Sequence, residues 1–201
     1  MELNFMEEKM VSNDNKELAK YITTIVGINR KIERFWDDKN QNYLDIFNCD
    51  DPVDINIKFY GTIGLSDYQN IIEMGDGNKN IPVEFIMAGY KEYDEIPNIL
   101  STCGFYLLKD KWNCQPGSVF MSMVDFYYEK EMRHIMFVPP FLWEEKLEPL
   151  KLENKTVYWL LAIPISEAEL QYRNKNGFDA LQELFEESGI NIFDLDRKSI
   201  I

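Results

Sequence analysis

Residues 156–165 read Thr156-Val157-Tyr158-Trp159-Leu160-Leu161-Ala162-Ile163-Pro164-Ile165. The run is nearly all apolar, rich in β-branched and aromatic types, and too short to span a bilayer, so it predicts a central strand buried on both faces. Pro164 lacks the N–H a ladder needs and biases Ile163 towards extended geometry, which should end the strand about there. Ser166 and Glu169 then stand three apart, the spacing of a capping box at a helix start. Asn176-Gly177 breaks that short helix. A second helix carries Phe178, Leu181, Leu184 and Phe185 on one face and Asp179, Glu183, Glu186 and Glu187 on the other, and Gly189 stops it. Ile192-Phe193-Asp194-Leu195-Asp196-Arg197 closes the chain's readable part.

Upstream, the periods change from helix to strand. Asn13 or Asp14 can cap a helix to about Val26, with Leu18, Tyr21, Ile22 and Ile25 at helical spacing and Gly27 as its stop. Residues 32–36 and 43–47 read as a hairpin joined by the polar 37–42. Trp36 at its strand end fits the core, or else an interface. Asp50-Asp51-Pro52 is a turn, and 55–62 alternates as a half-buried strand. Gly61 and Gly64 read as a bend at a sheet corner, because they lack any phosphate-loop pattern. Gly75 to Asn78 is a loop, and 83–90 is a strand. Pro97 sits in the first turn of a helix whose buried stripe is Ile99, Leu100, Cys103, Leu107 and Leu108. Strands over 119–124 and 134–138 follow, and Pro139-Pro140 ends the latter. This imperfect alternation predicts an α/β (α+β) single-domain sandwich, a mixed β-sheet with helices packed against it. Residues 1–13 lack a persistent period and read as a flexible tail, with the domain over 14–201.

The composition is that of a folded globule, 45% hydrophobic and 14% aromatic. A net charge of −14 comes from two regions: 37–100 has thirteen acids against four bases, and 144–201 has twelve against seven. Such a field repels nucleic-acid phosphates and anionic lipid and speeds encounter with a basic partner. No basic patch, secretory leader or long apolar run points to nucleic acid, export or membrane. Cys49, Cys103 and Cys114 cannot all pair within one chain and include no C-x-x-C, which fits a reducing cytoplasm.

Catalytic chemistry finds little support. His134 is the single histidine, and Cys114 lies 20 residues before it with no spacing that predicts a nucleophile–base pair. It reads as a structural or surface residue. There is no zinc-ligand array and no D-x-D-x-D-G calcium loop, although Asp50-Asp51 and Asp194/Asp196 are carboxylate pairs. The expectation is a non-enzyme without metal or cofactor.

Several stretches resemble the suppressor-of-fused domain family, specifically its bacterial members. These are the strand closing in Pro164-Ile165, then Ser166-Glu167-Ala168-Glu169-Leu170, the Asn176-Gly177 break, the Leu/Phe helix and the Asp196-Arg197 ending. Upstream they are joined by Arg34-Phe35-Trp36-Asp37 and Thr62-Ile63-Gly64-Leu65-Ser66-Asp67-Tyr68, and together the matches span roughly residues 30 to 197. The resemblance implies a suppressor-of-fused-like α/β sandwich. It also implies an immunity protein, or antitoxin, that neutralises a cognate polymorphic toxin of LXG type, often a nuclease. The alternative it leaves is a non-catalytic adaptor that sequesters a regulatory protein. The resemblance carries over no binding residues. The charge argument alone selects Asp50, Asp51, Asp54, Asp67, Tyr68, Asp94 and Glu95 as candidate contacts with a basic toxin, with Trp36 as a possible anchor.

Overall fold

The computed structural model describes residues 12–143 and 146–201. Strand β10 (Thr156–Ile165) lies inside the sheet, and every residue from Trp159 to Ile165 is buried. It runs parallel to β6 (Val83–Tyr90) on one side and antiparallel to β8 (His134–Val138) on the other. The strand runs one residue past Pro164, which is opposite Ile135. The Pro164 carbonyl accepts from Arg197 Nη2 at 3.1 Å, so its main-chain groups face away from β8. Pairing with β6 has ended at Ala162, and the missing N–H leaves no ladder partner stranded.

The other strands fall either side of this centre. β1 (Ile28–Trp36), β2 (Tyr43–Asp50) and β3 (Ile57–Ile63) form an antiparallel meander that joins β6, and β7 (Val119–Phe120) flanks β8 at the far edge. β4 (Ile71–Met74) and β5 (Gly77–Asn80) make a separate hairpin, and β9 (Leu150–Lys151) pairs with the start of β10. The loop read at Gly75 to Asn78 is thus a hairpin turn running into β5, a strand of Gly, Asn and Lys that carries no apolar side chain to show a period.

Successive side chains of the central strands β2, β6, β8 and β10 enter opposite cores, as the pleat requires. Phe47, Ile86, Leu161 and Ile163 pack with Leu18 and Ile22 of α1 (Asn13–Ile25) and with the helix pair α3 (Glu167–Asn176) and α4 (Phe178–Ser188). Ile46, Phe85, Phe137 and Leu160 face Ile99, Leu100, Cys103 and Leu107 of α2 (Ile96–Asp110). The result is the mixed α/β sandwich expected from the sequence.

The quoted sequence stretches converge on two buried carboxylates. Ser166 and Glu169 form the capping box, and Glu169 also holds Arg197 by two bonds of 2.6 and 2.7 Å. Glu169 is fully buried and accepts from Ile200 N as well, so strand end, helix start and C-terminal tail share one ion pair. Glu84 is likewise fully buried. It accepts from the Thr62 hydroxyl at 2.5 Å and from the N–H groups of Gly64, Leu65 and Ser66 at 2.9–3.2 Å. That carboxylate fixes the bend at Gly64, where φ is +94°. Burial pushes its carboxyl up from the ordinary value, and the bonds from Thr62, Ser66 and Gly64 offset only part of that rise.

Some boundaries differ. The cap of α1 is Ser12, whose hydroxyl accepts from Asn15 N, so the helix starts a residue early. The tail expected over 1–13 lies, up to residue 11, outside the described residues. The strand expected over 119–124 stops at Phe120, since Ser122 turns left-handed (φ +57°) and gives its N–H to His134. Trp36 is 46% exposed and is therefore not a core residue.

Candidate functional site

The register of the meander divides the sequence-selected residues between the two ends of the sheet. Asp50 ends β2, Asp51 and Asp54 lie in the β2–β3 turn, and Asp94 and Glu95 follow β6 at the same end. Trp36 ends β1 beside Tyr43 at the start of β2, and Asp67 and Tyr68 follow β3 there. An eight-residue strand separates the ends by roughly 25 Å, so the eight residues form two groups.

At the first end several carboxylates already have local partners. Asp51 accepts from Val53 N and Asp54 N, and Asp54 accepts from Asn56 N, each capping the tight turn. Asp50 takes Asn29 Nδ2 at 2.9 Å, Asp94 takes the Tyr128 hydroxyl at 2.9 Å, and Glu95 takes Asn98 Nδ2.

The Trp36 end is different in kind. A cleft of about 500 Å³ opens between the end of β1, the outer face of α2 and the turn after β7. Its walls are Phe35, Trp36, Phe105, Tyr106, Phe126 and Tyr127, and its charged groups are Asp37, Asp38, Lys109 and Asp110. Phe126 is 60% exposed. Asp37 accepts from Gln41 N and Asn42 Nδ2, both at 2.8 Å, and so closes the β1–β2 loop. The Asn42 bond foremost, with Lys109 nearby, holds its carboxyl well below the usual carboxylate range. Lys109 is 2.7 Å from Asp38 and 3.6 Å from Asp37. Tyr127 and Thr102 share a hydroxyl–hydroxyl bond of 2.6 Å that ties the turn segment to α2. The Trp36 ring leans on Tyr43, with centroids 5.3 Å apart and planes tilted by 59°, and the Arg34 guanidinium lies 3.8 Å from the centre of the Tyr43 ring. Asp67 is paired with Lys155, and burial pushes the Tyr68 hydroxyl up.

Apart from Trp36, sequence reasoning missed this cleft. The signal was available: Phe105 and Tyr106 fall outside the buried stripe of α2, and Asp125-Phe126-Tyr127-Tyr128 puts rings in a segment too turn-rich for a strand. A second groove of about 760 Å³, between α4, Pro139–Leu142 and Ile190–Phe193, is almost wholly apolar.

His134 is buried and positional. Its Nδ1 accepts from Ser122 N at 2.8 Å, which puts the proton on Nε2 for Glu167 at 2.9 Å. Bonds from Gln171 and His134 hold the Glu167 carboxyl below its ordinary value. The Cys114 thiol is buried, and burial pushes it well up, away from a reactive thiolate. Among the described residues no three His, Cys, Asp or Glu side chains gather in a way that could hold a metal ion, and no helix is long and apolar enough to cross a membrane.

The chain belongs to the suppressor-of-fused family: the model of that family, described as suppressor of fused protein (SUFU), matches residues 40–198. Within it the chain is similar to the immunity protein YqcF of Bacillus subtilis strain 168, with 40% identity over 192 residues that cover 95% of this chain and 99% of that one. The fold is shared with a SUFU homologue from Neisseria gonorrhoeae (TM-score 0.64, 18% identity, 92% of this chain and 93% of that one). A chain of the Sufu–Fu complex matches equally well (TM-score 0.64, 12% identity, 92% and 91% covered).

Proposed function

We propose that this protein is an immunity protein: a non-catalytic, stoichiometric inhibitor that binds and neutralises a cognate toxin in the cytoplasm. The observation that carries the reading is the 40% identity, almost end to end, with a protein named for immunity. The partner is a polymorphic toxin of LXG type whose active domain is a nuclease. A nuclease must be basic where it meets phosphate, and a body of net charge −14 can cover that same surface. Carboxylates steer the encounter, and aromatic side chains supply the desolvated centre of the contact. An adaptor role towards a regulator has no observation of its own, because the likeness to the Sufu–Fu chain is one of fold at 12% identity.

The test is co-expression with the toxin-like reading frame next to the gene. The expected outcome is restored growth, copurification at 1:1 and loss of nuclease activity in proportion to added protein. Toxin activity that persists under a molar excess refutes the reading.

A further inference from the structure

We propose that the cleft at the Trp36 end of the sheet is the docking site for a positively charged segment of the toxin, with an arginine or lysine side chain laid against Trp36 and Phe126. This rests on the immunity reading and names the face it uses.

Three observations select this cleft. First, two large aromatic side chains border the cleft and stay exposed, Phe126 at 60% and Trp36, whose ring leans on Tyr43, at 46%. Aromatic faces attract guanidinium and ammonium groups, and tryptophan is the strongest of them. Second, among the described residues the lining holds three carboxylates, Asp37, Asp38 and Asp110, against one cation, Lys109, which is drawn to Asp37 and Asp38. Asp38 projects into solvent at 72% side-chain exposure, and Lys39 and Lys111 stand outside the lining. Third, the walls are already set. α2 is locked by its buried stripe, the 126–127 segment by the Tyr127–Thr102 bond, and the loop by Asp37, so little ordering cost remains for binding. A second copy of the chain, itself at −14, is a poor occupant by charge. The apolar groove beside α4 offers no matching charge pattern.

The experiment uses the full chain and the toxin domain encoded in the neighbouring reading frame, with association and dissociation followed by interferometry over a range of salt. Phe126→Ala and Trp36→Ala are each expected to raise Kd about 30-fold or more, as anchors of a desolvated contact do. Asp38→Lys slows association and flattens its salt dependence. Ile55→Ser, at the opposite end of the sheet, changes Kd less than threefold. Hydrogen exchange on the complex should protect residues 35–38, 105–110 and 126–127. Phe126 and Asp38 project into solvent, so these two variants stay folded, and a thermal melt checks it. The proposal is overturned if the wild-type chain binds the toxin while Phe126→Ala and Asp38→Lys both bind within threefold of it. It is equally overturned if these variants abolish self-association in sedimentation and leave toxin affinity unchanged, which assigns the cleft to a second copy. Failure of the wild-type chain to bind the toxin sinks the immunity reading itself and this proposal with it.

Discussion

Replacing Arg197 by Met should be among the most damaging single changes in the chain. The guanidinium makes both bonds to Glu169 and a third to the Pro164 carbonyl, and Glu169 has no solvent contact. Methionine fills much of the volume but leaves a buried carboxylate with only the Ser166 and Ile200 N–H groups as donors. Breaking a buried pair from one side costs about 3–5 kcal/mol. For a domain of this size each kcal/mol lowers Tm by about 2–4 °C, so the expected drop is about 6–20 °C. The assay is thermal and urea unfolding followed by circular dichroism. A paired variant, Glu169→Gln with Arg197→Met, removes both charges and keeps an acceptor for Ser166 N. It should be more stable than Arg197→Met alone by at least about 1 kcal/mol, because no lone charge stays inside. A fall of less than about 3 °C for Arg197→Met, or no recovery in the paired variant, refutes the argument that this ion pair ties the tail to the central strand.

Three further outcomes follow from the geometry. A Cβ at Gly61 would lie 2.2 Å from Cε1 and 2.6 Å from Cζ of Phe47, so Gly61→Ala should cost about 1–3 kcal/mol in urea unfolding, and an unchanged midpoint would contradict the packing. All three thiols are buried, and burial pushes Cys49 up to about 12 and Cys103 up further, so a thiol reagent at pH 8 should label none quickly in the native protein and all three in guanidinium. The folded Asp37 carboxyl is held below its ordinary value of 3.8, so the unfolded chain binds the extra proton first as pH falls. The stability it contributes is therefore full above about pH 4 and lost as pH drops through the folded value, and Asp37→Asn should flatten the decline of Tm with acid relative to wild type.

The C-terminal third was legible because its instructions are local. A continuous apolar run, a Ser-x-x-Glu spacing and two glycines each carry their meaning within a few residues, and strand, cap, helix break and helix stop all fall where they were expected. What stayed hidden depends on distant partners. Nothing near Glu84 announces that it will hold the bend at Gly64 to Ser66, some twenty residues earlier, because a lone glutamate in an apolar strand has no period. Ser122 breaks its strand to reach a histidine twelve residues away. Regional charge likewise leaves the acids unsorted, since it cannot tell a carboxylate that caps its own turn, such as Asp51, from one such as Asp38 that stands at the lip of an aromatic cleft.

The placement of β10 sets the order in which the protein can be assembled. The strand that fills the gap between β6 and β8 is translated after both of them, so until it emerges β6 presents an open edge of unpaired backbone groups on a mostly apolar strand. Completion of the fold would then lag behind synthesis by the time needed to insert that strand. Conversely, a chain split between residues 152 and 155 should yield two inert fragments that recover a single folded body only when mixed.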